Sequence, residues 1–490
     1  MKLFRLSFVI LLFFAETLLL AQKSAPKPYG ALPTEAQIKW QEMERFCFLH
    51  FTVNTFTDLE WGLGGEKESL FNPTNFNADQ IVSVIAENGF KGAILTCKHH
   101  DGFCLWPTKT TEHSVKNSPW KNGTGDVVKE ISDACRKYGI KFGVYLSPWD
   151  RNSAFYGKPE YITLYRAQLT ELLTNYGDIF EVWFDGANGG DGYYGGANEK
   201  RLIDRNTYYD WENTFSFVRR LQPEACMYSD IGPDIRWCGN ESGYVNDSCW
   251  ATYTVVGRNG ENKPGIGNTK YQIGETGTLN GEEWLPAEVC VSIRPGWFYH
   301  RKEDTKVKDL NSLKKIYFES VGNGAVLNLN LPPDQTGQIN ANDIRELEGL
   351  SDYLTKSFSN NLLQGAKVTA SEIRGDSKEF SASNVLDDNR DSYWTVNDNT
   401  KTASLTFHLN MQSTFNCLEI KEFIRLGQRI TSFTLEVEKN GKWQQVFKGS
   451  TVGYKKLAKF DDATASQVRI TFLNSLACPV IESVKLFKVL

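Results

Sequence analysis

The stretch DVVKEISDACRKYGIKFGVYLS, residues 126–147, decides the fold. In its first half Val127, Val128, Ile131 and Cys135 recur at helical spacing and share one face. Gly139 follows Tyr138, and the apolar run Lys141–Ser147 comes directly after. A glycine takes the left-handed conformation that ends a helix without a Cβ penalty, so the chain can stop a helix there and enter a strand. The same punctuation stands at Asn88-Gly89, before the run Gly92–Cys97, and at Tyr176-Gly177, before Phe180–Asp185. A repeated helix–Gly–strand unit means crossover connections and therefore a parallel sheet.

Outward from this stretch the pattern continues. Further apolar runs lie at Phe46–Phe51, Ala225–Asp230, Val291–Pro295 and Ala325–Asn330. Helix-period segments lie between the runs, at Asp79–Asn88, Tyr161–Tyr176, Thr207–Leu221 and Leu310–Val321. Such units over about 300 residues predict an α/β chain with a (β/α)8-type, TIM-like barrel, placed at residues 35–355. A doubly wound open sheet is the alternative, but no G-x-G-x-x-G follows the first run, and polar residues crowd the run ends. Residues 251–290 break the rhythm with Gly and Asn and are expected to form an active-site wall. After Asn361 strand alternation takes over, as in Phe433–Val437, with Asn440-Gly441 as a hairpin turn before Trp443–Phe447. Residues 362–490 are therefore expected to be an all-β sandwich. The segment Ser381–Asp388, with Trp394 soon after, resembles the discoidin-like fold, and Trp394 is expected in its core.

Composition limits the function classes. Of 490 residues, 41% are hydrophobic and 23% charged, which is globular and not disordered. A net charge of −5 gives no reason to expect a nucleic-acid partner. Lys2 and Arg5 precede the apolar run Leu6–Phe14, too short to span a membrane. Residues 1–21 therefore read as a signal peptide, and an exported, periplasmic or secreted, protein is expected, with no membrane span in the mature chain. The 10 Cys include no C-x-x-C. Cys47, Cys97, Cys226 and Cys290 lie inside apolar runs as small hydrophobes, while Cys238 and Cys249 could pair only in an oxidising compartment.

In a parallel barrel the reactive groups gather at the C-terminal ends of the strands. Those ends carry His50, His99-His100-Asp101, Tyr145, Trp149-Asp150, Asp185 and Asp230. Three of only 6 histidines fall there, which favours a polar pocket. Adjacent strand residues point to opposite sides, so His99 and His100 are not expected to share an ion; neither metal nor cofactor is called for. Asp185 ends an apolar run and precedes Gly186-Ala187-Asn188-Gly189-Gly190, a loop with no helix to cap, so it reads as a working carboxylate. A second acid should come from Asp230, Asp234 or Glu241; spacing alone does not choose among them. Trp237 and Trp250 flank Glu241 in sequence, and apolar walls raise a carboxyl pKa.

Lys98-His99-His100-Asp101-Gly102-Phe103, Val182-Trp183-Phe184-Asp185-Gly186, Val291–Tyr299 and Leu327–Asp334 resemble the signatures of glycoside hydrolase family 29, the α-L-fucosidases. The resemblance spans about residues 40–350 in the family's order. It implies a retaining exo-glycosidase acting on fucosylated oligosaccharides or glycoconjugates, with Asp185 as nucleophile. It places sugar binding on His50, Glu60, Trp61, His99, His100 and Tyr145, and Trp297 is expected to join them as a pocket wall. Arg236-Trp237-Cys238-Gly239-Asn240-Glu241 resembles the subgroup acting on α-1,3 and α-1,4 branches, which implies Glu241 as acid/base. Two rivals are a non-catalytic glycan-binding barrel and a retaining hydrolase of another sugar such as galactose.

Overall fold

The computed structural model describes residues 24–490, so the signal peptide expected at 1–21 lies outside them. Eight parallel strands close into a barrel: β1 (Arg45–Leu49), β2 (Gly92–Lys98), β3 (Lys141–Leu146), β4 (Ile179–Trp183), β5 (Cys226–Ser229), β6 (Ile235–Trp237), β7 (Ala287–Ser292) and β8 (Val326–Asn330). Closure comes from β1 pairing with both β2 and β8. Helices α1 (Ala78–Glu87), α2 (Val127–Tyr138), α3 (Glu160–Asn175), α4 (Trp211–Leu221), α5 (Leu310–Glu319) and α6 (Ala341–Phe358) pack outside. Gly89, Gly139 and Gly177 all hold positive φ, so the three helix-to-strand stops work as the sequence indicates.

Two crossovers depart from the regular pattern. Strand β5 runs into β6 through residues 230–234 without a helix, and β6 leads into the long segment 238–286, whose longest helix is Gln272–Thr276. The sequence reading missed β6 because it is three residues long and centred on Arg236, a fully buried cation whose Nε donates to the Gly274 carbonyl at 3.1 Å. It also set the seventh strand too late, at Val291–Pro295. Glu288 hides the true strand: an acid in mid-strand, buried in the barrel, accepting from Trp183 Nε1 and Asn328 Nδ2 at 3.0 Å each.

The helix Glu35–Gln41, capped by Thr34, plugs the N-terminal end of the barrel. Its Trp40 packs edge-on against Phe46 and donates Nε1 to one oxygen of a second interior acid, Glu181, at 2.7 Å. The cavity of the barrel lies at the other end, past the carboxyl ends of the strands.

Beyond α6 an antiparallel seven-stranded domain begins at Lys367 and closes on its own core, with Trp394 fully buried. Asn440 and Gly441 both hold positive φ between Lys439 and Lys442, the geometry of a two-residue hairpin. The domain packs on the barrel. Leu457 and Phe487 join the barrel's hydrophobic cluster, Lys455 pairs with Glu44 at 2.5 Å, and Thr451 accepts from the Cys249 amide at 3.0 Å. All ten cysteines are free and buried, Cys238 and Cys249 included.

Candidate active site

The open end of the barrel holds a cavity of about 470 Å³. Its lining includes His50, Glu60, Trp61, His99, His100, Asp185, Glu241 and Trp297. Eight of the nine residues singled out in the sequence thus meet in one place. Tyr145 is the exception. It is fully buried beneath the cavity, and its hydroxyl donates to Asp185 Oδ2 at 2.9 Å, so it contacts the acid and not the space above.

Asp185 lies two residues past the end of β4, and it lines the cavity. The Ala187 amide donates to Oδ1 at 2.7 Å, and Tyr145 holds Oδ2. Burial raises its pKa, and these two donors, which favour the ionised form, offset only part of that rise. The carboxylate is fixed by both oxygens and faces the histidines, with His100 Nε2 at 3.8 Å from Oδ2.

Burial favours the neutral form of His50, His99 and His100, and hydrogen bonds fix the tautomers of two of them. Ser147 donates its hydroxyl to the Trp149 carbonyl at 2.8 Å, so at 2.7 Å it must accept from His100 Nδ1–H. Asn330 donates to Ser292 Oγ and the Trp297 carbonyl, so its oxygen accepts from His50 Nδ1–H at 2.8 Å. In both rings Nε2 remains as an acceptor. Burial pushes His50 and His100 down to about 3; Arg151 and Lys98 add to the effect at His100, whereas the Asn330 bond partly offsets it at His50. His99 is lowered by burial and by its histidine neighbours, and its Nδ1 has no hydrogen-bond partner among the described residues. The expectation that His99 and His100 diverge fails. β2 ends at Lys98, and past it the chain turns, so the two rings sit 4.1 Å apart on the same cavity.

Glu241 stands opposite in construction. It lies four residues past β6, and its carboxylate accepts one bond, from Trp297 Nε1 at 3.2 Å. Burial raises its pKa; the indole bond opposes this, and the charges of Asp185 and Glu60 add to the rise. The other two candidate acids are occupied. Asp230 lines the cavity but accepts from the Gly267 amide at 2.9 Å and the Thr269 hydroxyl at 2.7 Å. Asp234 pairs with Arg219 and accepts from the Met227 amide. Trp237 lines the cavity; Trp250 and Trp106 do not, and the Trp106 indole bonds Glu171 instead.

Glu60 proves to be an anchor. It accepts from the amides of Trp297 (2.8 Å) and Phe298 (3.2 Å) and from His300 Nε2 (2.6 Å). Burial lowers the pKa of His300, but its bonds to Asp58 and Glu60 outweigh that and raise it. Sequence reasoning missed His300, although a scarce histidine one residue past Tyr299 was a usable signal. It also missed Arg205, Arg258 and Tyr271, which line the wall contributed by the 251–290 region and its neighbour loop; nothing in their spacing marked them.

The arrangement offers one fixed carboxylate, one carboxyl held by a single bond, two imidazole acceptors for hydroxyl groups, and indole walls. A profile described as Alpha-L-fucosidase matches residues 31–358, and one described as F5/8 type C domain matches residues 367–480. The chain is 44% identical over 449 residues to "Alpha-L-fucosidase 1" of Arabidopsis thaliana, covering 91% of this chain and 85% of that one. It is similar in structure to a glycoside hydrolase 29 family member from an unknown rumen bacterium, with TM-score 0.83 and 41% identity over 95% of this chain and 78% of that one. A Ruminococcus gnavus GH29 fucosidase in complex with fucose matches with TM-score 0.84 and 31% identity, covering 95% of this chain and 97% of the other.

Proposed function

We propose a mechanism from one premise: this chain belongs to the α-L-fucosidase family, glycoside hydrolase family 29, and is a hydrolase of α-L-fucosides. The proposal is retaining double displacement. Asp185 attacks the anomeric carbon while Glu241 protonates the departing oxygen. The bond to Asp185 forms as the glycosidic bond breaks, through an oxocarbenium-like transition state. Glu241, now ionised, takes a proton from water, which displaces Asp185 and releases fucose.

The single observation that carries this reading is that Asp185 and Glu241 face one cavity with unlike electrostatic settings. Asp185 is held through both oxygens by two donors that favour its ionised form against the rise that burial causes. Glu241 feels burial and two negative neighbours, which favour a retained proton. The imidazole acceptors of His50 and His100 suit sugar hydroxyl donors. A hydroxyl between His100 and Asp185 fits the carbon next to the anomeric centre, where such bonds tighten in the transition state. Trp61 and Trp297 supply apolar surface for a deoxy sugar's methyl group.

The proposed substrates are α-1,3- and α-1,4-linked fucosyl branches, supported by the Arg236–Glu241 segment and by the long wall that crowds one side of the cavity. We also propose export, on the residues 1–21. One experiment tests the catalytic reading: digest fucosylated oligosaccharides differing only in linkage and follow the first-formed sugar by NMR. Initial release of α-L-fucose from the 1,3- and 1,4-linked members is expected. Initial β-L-fucose would contradict retention, and cleavage confined to other linkages would contradict the specificity.

A further inference from the structure

We infer that the ribbon Gly190–Gly192/Glu199–Arg201, with the loop carrying Leu63, forms a second sugar-binding groove that holds the rest of the glycan during cleavage. The inference rests on the fucosidase reading above and assigns the substrate's remaining units to a named place. A cavity of about 590 Å³ lies there, lined by Leu63, Asp191, Tyr193, Asn198 and Lys200 among others.

Continuity with the proton donor gives the direction. The leaving oxygen must sit beside Glu241, so the remaining sugars extend from that side. From Glu241 a line of contacts runs through Trp297, which donates its indole N–H to Glu241 and its amide to Glu60. Trp61 follows Glu60 in the chain, Leu63 is two residues further, and the Leu63 carbonyl accepts from the Tyr193 amide at 2.8 Å. Trp61, Leu63 and Tyr193 are 51%, 54% and 37% exposed, an uncommon density of large apolar side chains at the rim of a polar cavity.

The groove is built and not incidental. Arg151, itself buried, clamps the two walls together: Nη1 donates to the Gly62 carbonyl and Nε to the Asp191 carbonyl, each at 2.7 Å. Asn152 donates to the Gly64 carbonyl at 2.7 Å, and Glu66 accepts from the amides of Leu63 and Gly64. Gly65 leaves room for the Tyr193 ring, which a Cβ there would meet at 3.2 Å. Asp191 and Lys200 stand opposite each other across the ribbon, and neither side chain makes a hydrogen bond or ion pair among the described residues. A ring with an apolar face, an acceptor and a donor side by side is what a neutral sugar needs: C–H groups on Tyr193, hydroxyls on Asp191 and Lys200.

The test measures kcat and KM for the full chain on an aryl α-L-fucoside and on a fucosylated oligosaccharide of at least three units. The variants are Tyr193→Ala, Leu63→Ala and, with the apolar surface intact, the double change Asp191→Asn with Lys200→Met. Each should leave the aryl fucoside within about twofold and lower kcat/KM on the oligosaccharide about tenfold, through KM. Equal loss on both substrates, an unchanged ratio, or a wild type that gains nothing from the longer substrate would overturn the groove. Failure of the wild type on the aryl fucoside is a separate result, which sinks the hydrolase reading itself.

Discussion

Asp185 and Glu241 face the same space from different supports. Asp185 follows a barrel strand directly, and both its oxygens are held, by a backbone amide and by a phenol buried beneath it. Glu241 hangs on a loop after a three-residue strand and is held by one indole. The place of Asp185, the proposed nucleophile, is therefore a property of the barrel, while that of Glu241, the proposed acid, is a property of loops that meet across the cavity. Glu60 joins those loops: it bonds the Trp297 segment, and Trp297 in turn reaches Glu241. In the proposed mechanism the barrel supplies a fixed attack geometry, and the loops set where the proton is delivered and to which leaving group.

The contrast can be broken at the loop side first. Glu241→Ala removes the proposed proton donor, and a fall in kcat/KM of about 10²- to 10⁴-fold is expected on substrates with poor leaving groups. Added azide, a nucleophile that needs no base, should restore turnover of an aryl fucoside and yield the α-fucosyl azide. A loss below about tenfold, or the β-azide, would move the acid to another residue. The barrel side is tested by Tyr145→Phe, which leaves Asp185 with one donor. A bond to a charged group is worth about 1.5–3 kcal/mol, so a drop of about tenfold to a hundredfold is expected. The Tyr145 donor also favours ionised Asp185, so its loss raises that pKa and moves the acid limb of the pH–rate profile upward. An unchanged acid limb would show that Tyr145 only packs.

The smallest effect sharpens the comparison most. Trp297→Phe removes the one bond that favours ionised Glu241. The carboxyl's pKa must then rise, so its proton is retained to higher pH and the alkaline limb of kcat/KM shifts up, by about half a unit to one unit. The acid limb, set on the barrel side, should stay in place. Movement of both limbs together would mean that the two supports are coupled.

How far the sequence could be read follows the same division. Strand ends with helix–Gly–strand punctuation disclosed the barrel, and through it His50, His99, His100 and Asp185. Where an element breaks its pattern to meet a tertiary need, the sequence misleads. Arg236 and Glu288 look like loop residues yet are buried strand residues, because backbone carbonyls bond the guanidinium and indole and amide donors bond one oxygen of the acid. Tyr145 stands at a strand end as the pocket residues do, but its ring turns beneath Asp185, a choice made by packing against Trp183. The groups that tune the site, among them Ser147, Asn330 and His300, come from distant parts of the chain, and even Ser147 and Asn330, which end disclosed runs, carry no local mark of that role. Only their hydrogen bonds reveal them.

The account stands on a covalent bond between Asp185 and the sugar. Incubation with a 2-fluoro-fucosyl fluoride, whose fluorine slows the second displacement, followed by peptide mass spectrometry, tests it directly. A single fucosyl adduct on the peptide bearing Asp185, absent from the Asp185→Asn protein, is the expected result. An adduct on Asp230, Glu241 or another acid, with catalysis by the wild type intact, would contradict the account.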